Sequence, residues 1–199
     1  MKRAARSCLG LLVLLLSRQL NAQQSTTGPI PPPNLFLGRM AVTASQVMLP
    51  GVPSYLWHHG CGPTAVGMVV GYYDGAGFPE LVPGDASTQT DAVNAMIASA
   101  EHYEDYSLPL DYAPNLLPDK SSLGGAHVSS CLADFMNTSW SSRGNYYGWS
   151  HTIDVGKSFG EYVGFISPQY GATAVDYYPG VDLWSLFKQE IDLGRPAVL

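Results

Sequence analysis

The run Trp57–Asp74, WHHGCGPTAVGMVVGYYD, sets a cysteine between two glycines, with two histidines before it and a proline two residues after it. Proline at the first position of a helix forfeits no hydrogen bond, and its fixed φ suits the turn. The run therefore predicts a helix starting at Pro63, with Gly62 near the N-cap and Cys61 just ahead of it. Along that helix Val66, Val69 and Val70 supply bulk, while Ala65, Gly67 and Gly71 supply almost none. An interior glycine costs about 1 kcal/mol relative to alanine. A helix that carries two is one that another backbone approaches closely, hence central and buried.

The same placement has chemical consequences. A thiol attacks as its thiolate, and a free pKa of about 8.5 leaves it mostly protonated at neutral pH. The start of a helix favours an anion through its unpaired N–H groups and the positive end of its dipole. Cys61 is thus the candidate nucleophile, with its own N–H available to an oxyanion hole. Gly60 and Gly62 leave room for a substrate backbone. The competing reading, a bridge to Cys131, is weaker. Glycines and proline around a cysteine serve catalysis better than crosslinking, and Cys131 falls on the apolar side of its own predicted helix.

Upstream, MKRAAR is basic, CLGLLVLLL (Cys8 to Leu16) is apolar, and LNA ends at Ala22. That order reads as a signal peptide over 1–22, so a secreted or extracytoplasmic, membrane-free product is expected. The apolar run falls short of the roughly 20 residues that span a bilayer. Four basic residues and no acid leave with the signal, so six basic residues then face 16 acidic ones, a net charge of −10. Such a surface repels phosphates, which argues against nucleic-acid binding. Cys8 leaves too, and the remaining Cys61 and Cys131 form neither a CxxC nor a zinc-spaced cluster, so no metal or cofactor is expected.

Residues 23–50 read as a proline-rich linker and extended segment, and 51–199 as the globular domain. Further helices are expected over Thr88–Tyr103, capped by Thr90, over Ser129–Met136, and from an Asp182 cap to Gly194. Between them HTIDV, EYVGFI and ATAVDYY look like strands, and RPAVL opens one more extended run at the end. Helices first and strands later predict an α+β fold, and the last run reads as a domain cut short. Asp74, before GAG, reads as a cap and turn residue. His127 and His151 read as capping or surface residues, and His102, beside Glu101 and Glu104, as solvated.

GCGPTAVGMVVGYYD resembles the nucleophile helix of the papain-like cysteine peptidases. More narrowly, with GFPELVPG (Gly77–Gly84) and HVSSCLADFMNTSW (His127–Trp140), the chain is similar to secreted bacterial domains related to the bacteriocin-processing, double-glycine peptidases, family thirty-nine of the cysteine peptidases. The resemblance covers roughly Val52 to Leu199, and Cys-Gly-Pro-Thr is its specific part. It implies a papain-like α+β fold, its helical N-terminal part carrying the nucleophile and its C-terminal antiparallel sheet incomplete here. It further implies a hydrolase that cuts peptide or protein substrates with Cys61. The partner histidine and its Asp or Asn are expected beyond Leu199, which would make this fragment inactive. Tyr55 stands where papain-like enzymes often carry the oxyanion-hole glutamine, so either the hole is lacking or another donor serves. Tyr55, Trp57, His59, Gly60 and Gly62 are then the oxyanion or substrate-edge candidates. In that geometry His58 and His59 line the cleft edge and contact substrate rather than act as the base. A non-catalytic binding or surface-assembly module, with Cys61 idle, is the alternative, and a transglutaminase-like acyl transferase a third. Oligomeric state is not legible.

Overall fold

A computed structural model describes residues 48–106, 119–120, 126–177 and 182–198. The expected signal peptide lies outside these residues, as does nearly all of the linker. The described residues form six α-helices: α1 (Cys61–Gly75), α2 (Asp91–Ile97), α3 (Ala100–Asp105), α4 (Leu132–Phe135), α5 (Thr152–Ile166) and α6 (Leu183–Asp192). A 3-10 turn spans Ser141–Arg143. Among the described residues there is no strand, only an isolated bridge between His58 and Gly60. The expected α+β, papain-like architecture is therefore corrected to an all-helical one.

The correction has a local cause. HTIDV and EYVGFI, read as two strands, are the two ends of the single helix α5. Their β-branched and aromatic residues imitate strand composition, but Gly156, Gly160 and Gly164 recur every fourth residue and clear one helix face. A Cβ on Gly156 would come within 2.7 Å of Asp176, and one on Gly160 within 3.0 Å of the Ala172 carbonyl oxygen. ATAVDYY, the third expected strand, runs over that cleared face through residue 177 without ladder partners.

Helix α1 is central. It buries Pro63, Thr64, Val66, Gly67, Val70 and Gly71. Its small residues mark where neighbours press in: a Cβ on Gly67 would meet Ile97 of α2 at 2.8 Å, and one on Gly71 would strike the Tyr55 hydroxyl. Around it Leu81, Val82, Val93, Met96, Leu132, Met136, Tyr162 and Val163 close one core. Burying a large apolar side chain of this kind contributes about 1.5–3 kcal/mol. At the end of α1, Asp74 accepts a hydrogen bond from the Val82 amide at 2.9 Å and pins the following turn.

The expected helix over Thr88–Tyr103 is two. Thr90 caps α2 by accepting from Val93 N at 3.2 Å, but Ala98 turns extended and Ser99 caps α3 by accepting from His102 N at 3.2 Å. The serine hydroxyl competes for the backbone and restarts the helix in a new direction. Helix α6 follows expectation: Asp182 accepts from Ser185 N at 3.1 Å, and Gly194 ends it at φ +74°. Tyr72 of α1 donates to the Gly194 carbonyl oxygen at 2.9 Å, the tie that holds this end of α6.

Candidate functional site at the start of α1

Cys61 is the first residue of α1, two residues ahead of the expected start, and its side chain is exposed and unbridged. Gly60 is the N-cap with φ −163°, and no side chain caps the helix. The turn before it is tight. Gly60 N donates to His58 O at 2.7 Å, and the Thr64 hydroxyl donates to Gly60 O at 2.6 Å while accepting from His58 N at 3.0 Å. His59, at the apex, has φ +61°, an uncommon conformation for a residue with a Cβ. Across this turn runs the loop through Gly148. A Cβ on Gly60 would come within 2.7 Å of Gly148 O, and one on Gly148 would collide with His59 O. Two backbones thus touch where only glycines allow it, and their contact fixes the direction in which Cys61 leaves the turn.

The expected edge residues divide. Gly60 and Gly62 flank the thiol, and Gly62 faces Ser150 and Met136. Trp57 lies against Gly148. Tyr55 is buried away from the helix start: its hydroxyl donates to Ala86 O, and burial, then the charges of Asp74 and Asp85, push its pKa up to about 12. His59 turns inward and is fully buried, with neither ring nitrogen hydrogen-bonded. Its ring stands edge-on to His102, with centroids 4.6 Å apart, and to Tyr103 at 4.3 Å. Burial, then neighbouring His102, holds its pKa well below the usual value, so this ring is neutral.

The remaining histidines are held elsewhere. His58 Nε2 sits 3.4 Å from Ala98 O, and burial lowers its pKa. His151, at the N-cap of α5, is exposed and rests its ring on Trp149 at 4.5 Å. Among the described residues no histidine is hydrogen-bonded to the Cys61 thiol. His102, expected to be solvated, is instead fully buried, because α3 turns its face into the molecule. His102 Nδ1 lies 2.6 Å from Asp134 Oδ1, and its Nε2 lies 2.9 Å from Thr138 O. His127 joins the same group, with Nε2 3.0 Å from Asp134 Oδ1 and Nδ1 2.9 Å from Asp105 Oδ2. Burial lowers the His127 pKa, but Asp105 and Asp134 outweigh it, and the value is raised. Burial raises Asp134, but the ring of His102 and the amide of Ser130 outweigh it and hold its carboxyl well below the carboxylate range.

The sequence matches no protein-family model, no curated protein and no solved structure. Cys131, the other candidate for a bridge, is free and fully buried, with its thiol pushed up first by burial and then by Asp134. The His102–His127–Asp134–Cys131 group is the part that sequence reasoning missed. Its one linear signal is His-x3-Cys-x2-Asp over His127–Asp134, which matches none of the common CxxC spacings. No described helix is long and apolar enough to cross a membrane.

Proposed function

We propose that this chain is a secreted cysteine-peptidase-like domain in which Cys61 is the nucleophile for peptide-bond hydrolysis, as in the double-glycine peptidases that its sequence resembles. The observation that carries this reading is an exposed, unbridged thiol on the first residue of an uncapped 15-residue helix, between two glycines. The thiolate adds to the scissile carbonyl carbon, and the amides that open α1 receive the developing oxyanion. The amine leaves with the proton taken from the thiol, and water then cleaves the thioester. The base that carries this proton is not His58, His59, His102 or His127, whose rings are buried or engaged elsewhere. His151, exposed at the N-cap of α5, is the one histidine of the chain not so held; if it does not serve, residues 1–199 alone should be nearly inactive.

The test compares residues 1–199 with a chain extended by any coding sequence that follows Leu199, each exposed to a thiol-reactive peptide probe. Rapid labelling of Cys61 in the extended chain, lost in Cys61→Ala, supports the reading. Equally rapid labelling of residues 1–199, abolished by His151→Ala, would place the base within this chain instead. One observation favours a second reading, a non-catalytic binding module: Tyr55 stands at the position of the oxyanion-hole glutamine and is buried. An extended chain that binds peptide without cutting it would establish that alternative.

A further inference from the structure

The buried group behind the Cys61 turn has an arrangement that goes beyond the peptidase reading. His102 Nε2 faces the Thr138 carbonyl oxygen, which only accepts, so that nitrogen carries its proton outward. His127 Nδ1 likewise faces Asp105 Oδ2. Each imidazole thus keeps one N–H for an acceptor at the rim and turns its other nitrogen inward. The two inward nitrogens meet at one atom, Asp134 Oδ1, at 2.6 and 3.0 Å. Asp134 is itself fixed, because its Oδ2 accepts from the amides of Ser130 at 2.8 Å and Cys131 at 3.1 Å. The Cys131 sulfur completes the cluster, with donor atoms of His102, Cys131 and Asp134 all within 4.8 Å of one another.

Imidazoles oriented through their second nitrogen by a carbonyl or a carboxylate are the outer-shell pattern of metal-binding histidines. Two nitrogens, one sulfur and one oxygen form a tetrahedral donor set suited to zinc. We propose that His102 Nδ1, His127 Nε2, Cys131 Sγ and an Asp134 carboxylate oxygen bind one zinc-class divalent cation. Zinc bonds of about 2.0–2.3 Å hold neighbouring donor atoms about 3.3–3.8 Å apart, so the two nitrogen–oxygen contacts open by about 1 Å or less. The wider gaps among His102, Cys131 and Asp134, and those to His127, which stands outside that trio and joins it through Asp134, close around the ion. Binding displaces the protons through which the two inward nitrogens bond Asp134 Oδ1 and converts the Cys131 thiol to thiolate, releasing all of these protons to solvent. The side chains of His102, Asp134 and His127 are 0%, 2% and 14% exposed, and Cys131 is 0% exposed. Four protein donors in so closed a place make a structural centre rather than a catalytic one. Its position gives it a task. The orphaned, buried ring of His59 leans on His102 two residues before Cys61, so the ion braces the turn that presents the nucleophile.

The test uses the whole chain, stripped with a chelator and titrated with zinc and with cobalt(II). One equivalent of zinc should bind and raise Tm by about 5–10 °C at saturating concentrations. Cobalt(II) should give a thiolate charge-transfer band that survives Cys61→Ser and disappears in Cys131→Ser. Because Cys131→Ser also alters packing, His127→Gln, the most exposed ligand, is the second variant. It should weaken zinc binding by more than about 100-fold, beyond what outer-shell changes cause, with the far-ultraviolet dichroism of the stripped protein unchanged. Substoichiometric zinc, an unmoved Tm, or affinity unaltered by His127→Gln would each overturn the proposal. A band lost in Cys61→Ser instead would overturn it too, as metal caught by the exposed thiol. Since Cys61→Ser abolishes the proposed hydrolysis and spares this centre, either reading can fail without the other.

Discussion

At the scale of single residues, the molecule depends on where a side chain cannot be. Gly148 has φ +77°, and a methyl there runs into the His59 carbonyl oxygen, backbone against backbone. Gly144, four residues earlier, has φ +80° and open space around it. Both substitutions to alanine force a left-handed conformation on a residue with a Cβ, at about 1 kcal/mol. Only Gly148→Ala must also push the two loops apart, so urea unfolding should show it losing about 2–3 kcal/mol against about 1 for Gly144→Ala. Equal losses would mean that the Gly60–Gly148 contact does not hold the Cys61 turn. The importance of Gly60 and Gly62 was legible from the residues around Cys61. That of Gly148 was not, because its neighbour is about ninety residues away in the chain and nothing in its own surroundings names it.

Among elements, α1 and α6 could be read from their ends, by Pro63 at one and by Asp182 and Gly194 at the other. Helix α5 could not, because Ile153, Val155, Tyr162, Val163 and Phe165 carry strand propensity that tertiary packing overrides. Its glycines allow a direct check. Gly164 has nothing within 4 Å of a built Cβ, whereas the Gly160 position faces Ala172 O at 3.0 Å. Gly164→Ala should therefore stabilise by about 0.5–1 kcal/mol through helix propensity. Gly160→Ala should forfeit that gain by displacing the chain that crosses it, and a higher Tm for Gly160→Ala than for Gly164→Ala would contradict this packing. Helix α6 allows a second check. Hydrogen bonds from the Ser185 side chain and amide lower the pKa of Asp182, so its cap is at full strength above the ordinary carboxylate value. It weakens as pH falls through the lowered value, the direction expected of a carboxylate ionised in the fold. Amide exchange in Leu183–Asp192, corrected for its intrinsic pH dependence, should lose protection towards acid pH in the native chain and show no such step in Asp182→Ala.

For the whole molecule, the two described cysteines sit on opposite sides of one structural boundary. Cys61 opens α1 at the surface, and Cys131 caps α4 inside a cluster whose members come from 102, 127, 131 and 134. The first site was legible because its residues are consecutive. The second was not, since α3, α4 and the segment before α4 must pack before its donors meet. This boundary predicts how the chain reacts with iodoacetamide. In native buffer Cys61 should take one adduct, because its thiol is exposed. Cys131 should stay unmodified, being fully buried with its thiol pushed up by burial and by Asp134, so that little thiolate forms in the folded molecule. Its labelling then requires unfolding, and the rate should rise steeply across the urea transition while that of Cys61 changes little. If zinc occupies the proposed centre, adding it should slow the Cys131 reaction further at sub-denaturing urea and leave Cys61 unaffected, because the ion binds only the folded arrangement. Adducts on Cys61 and Cys131 at comparable rates in native buffer would place Cys131 at the surface, and with it would fall the packing of α3 against α4.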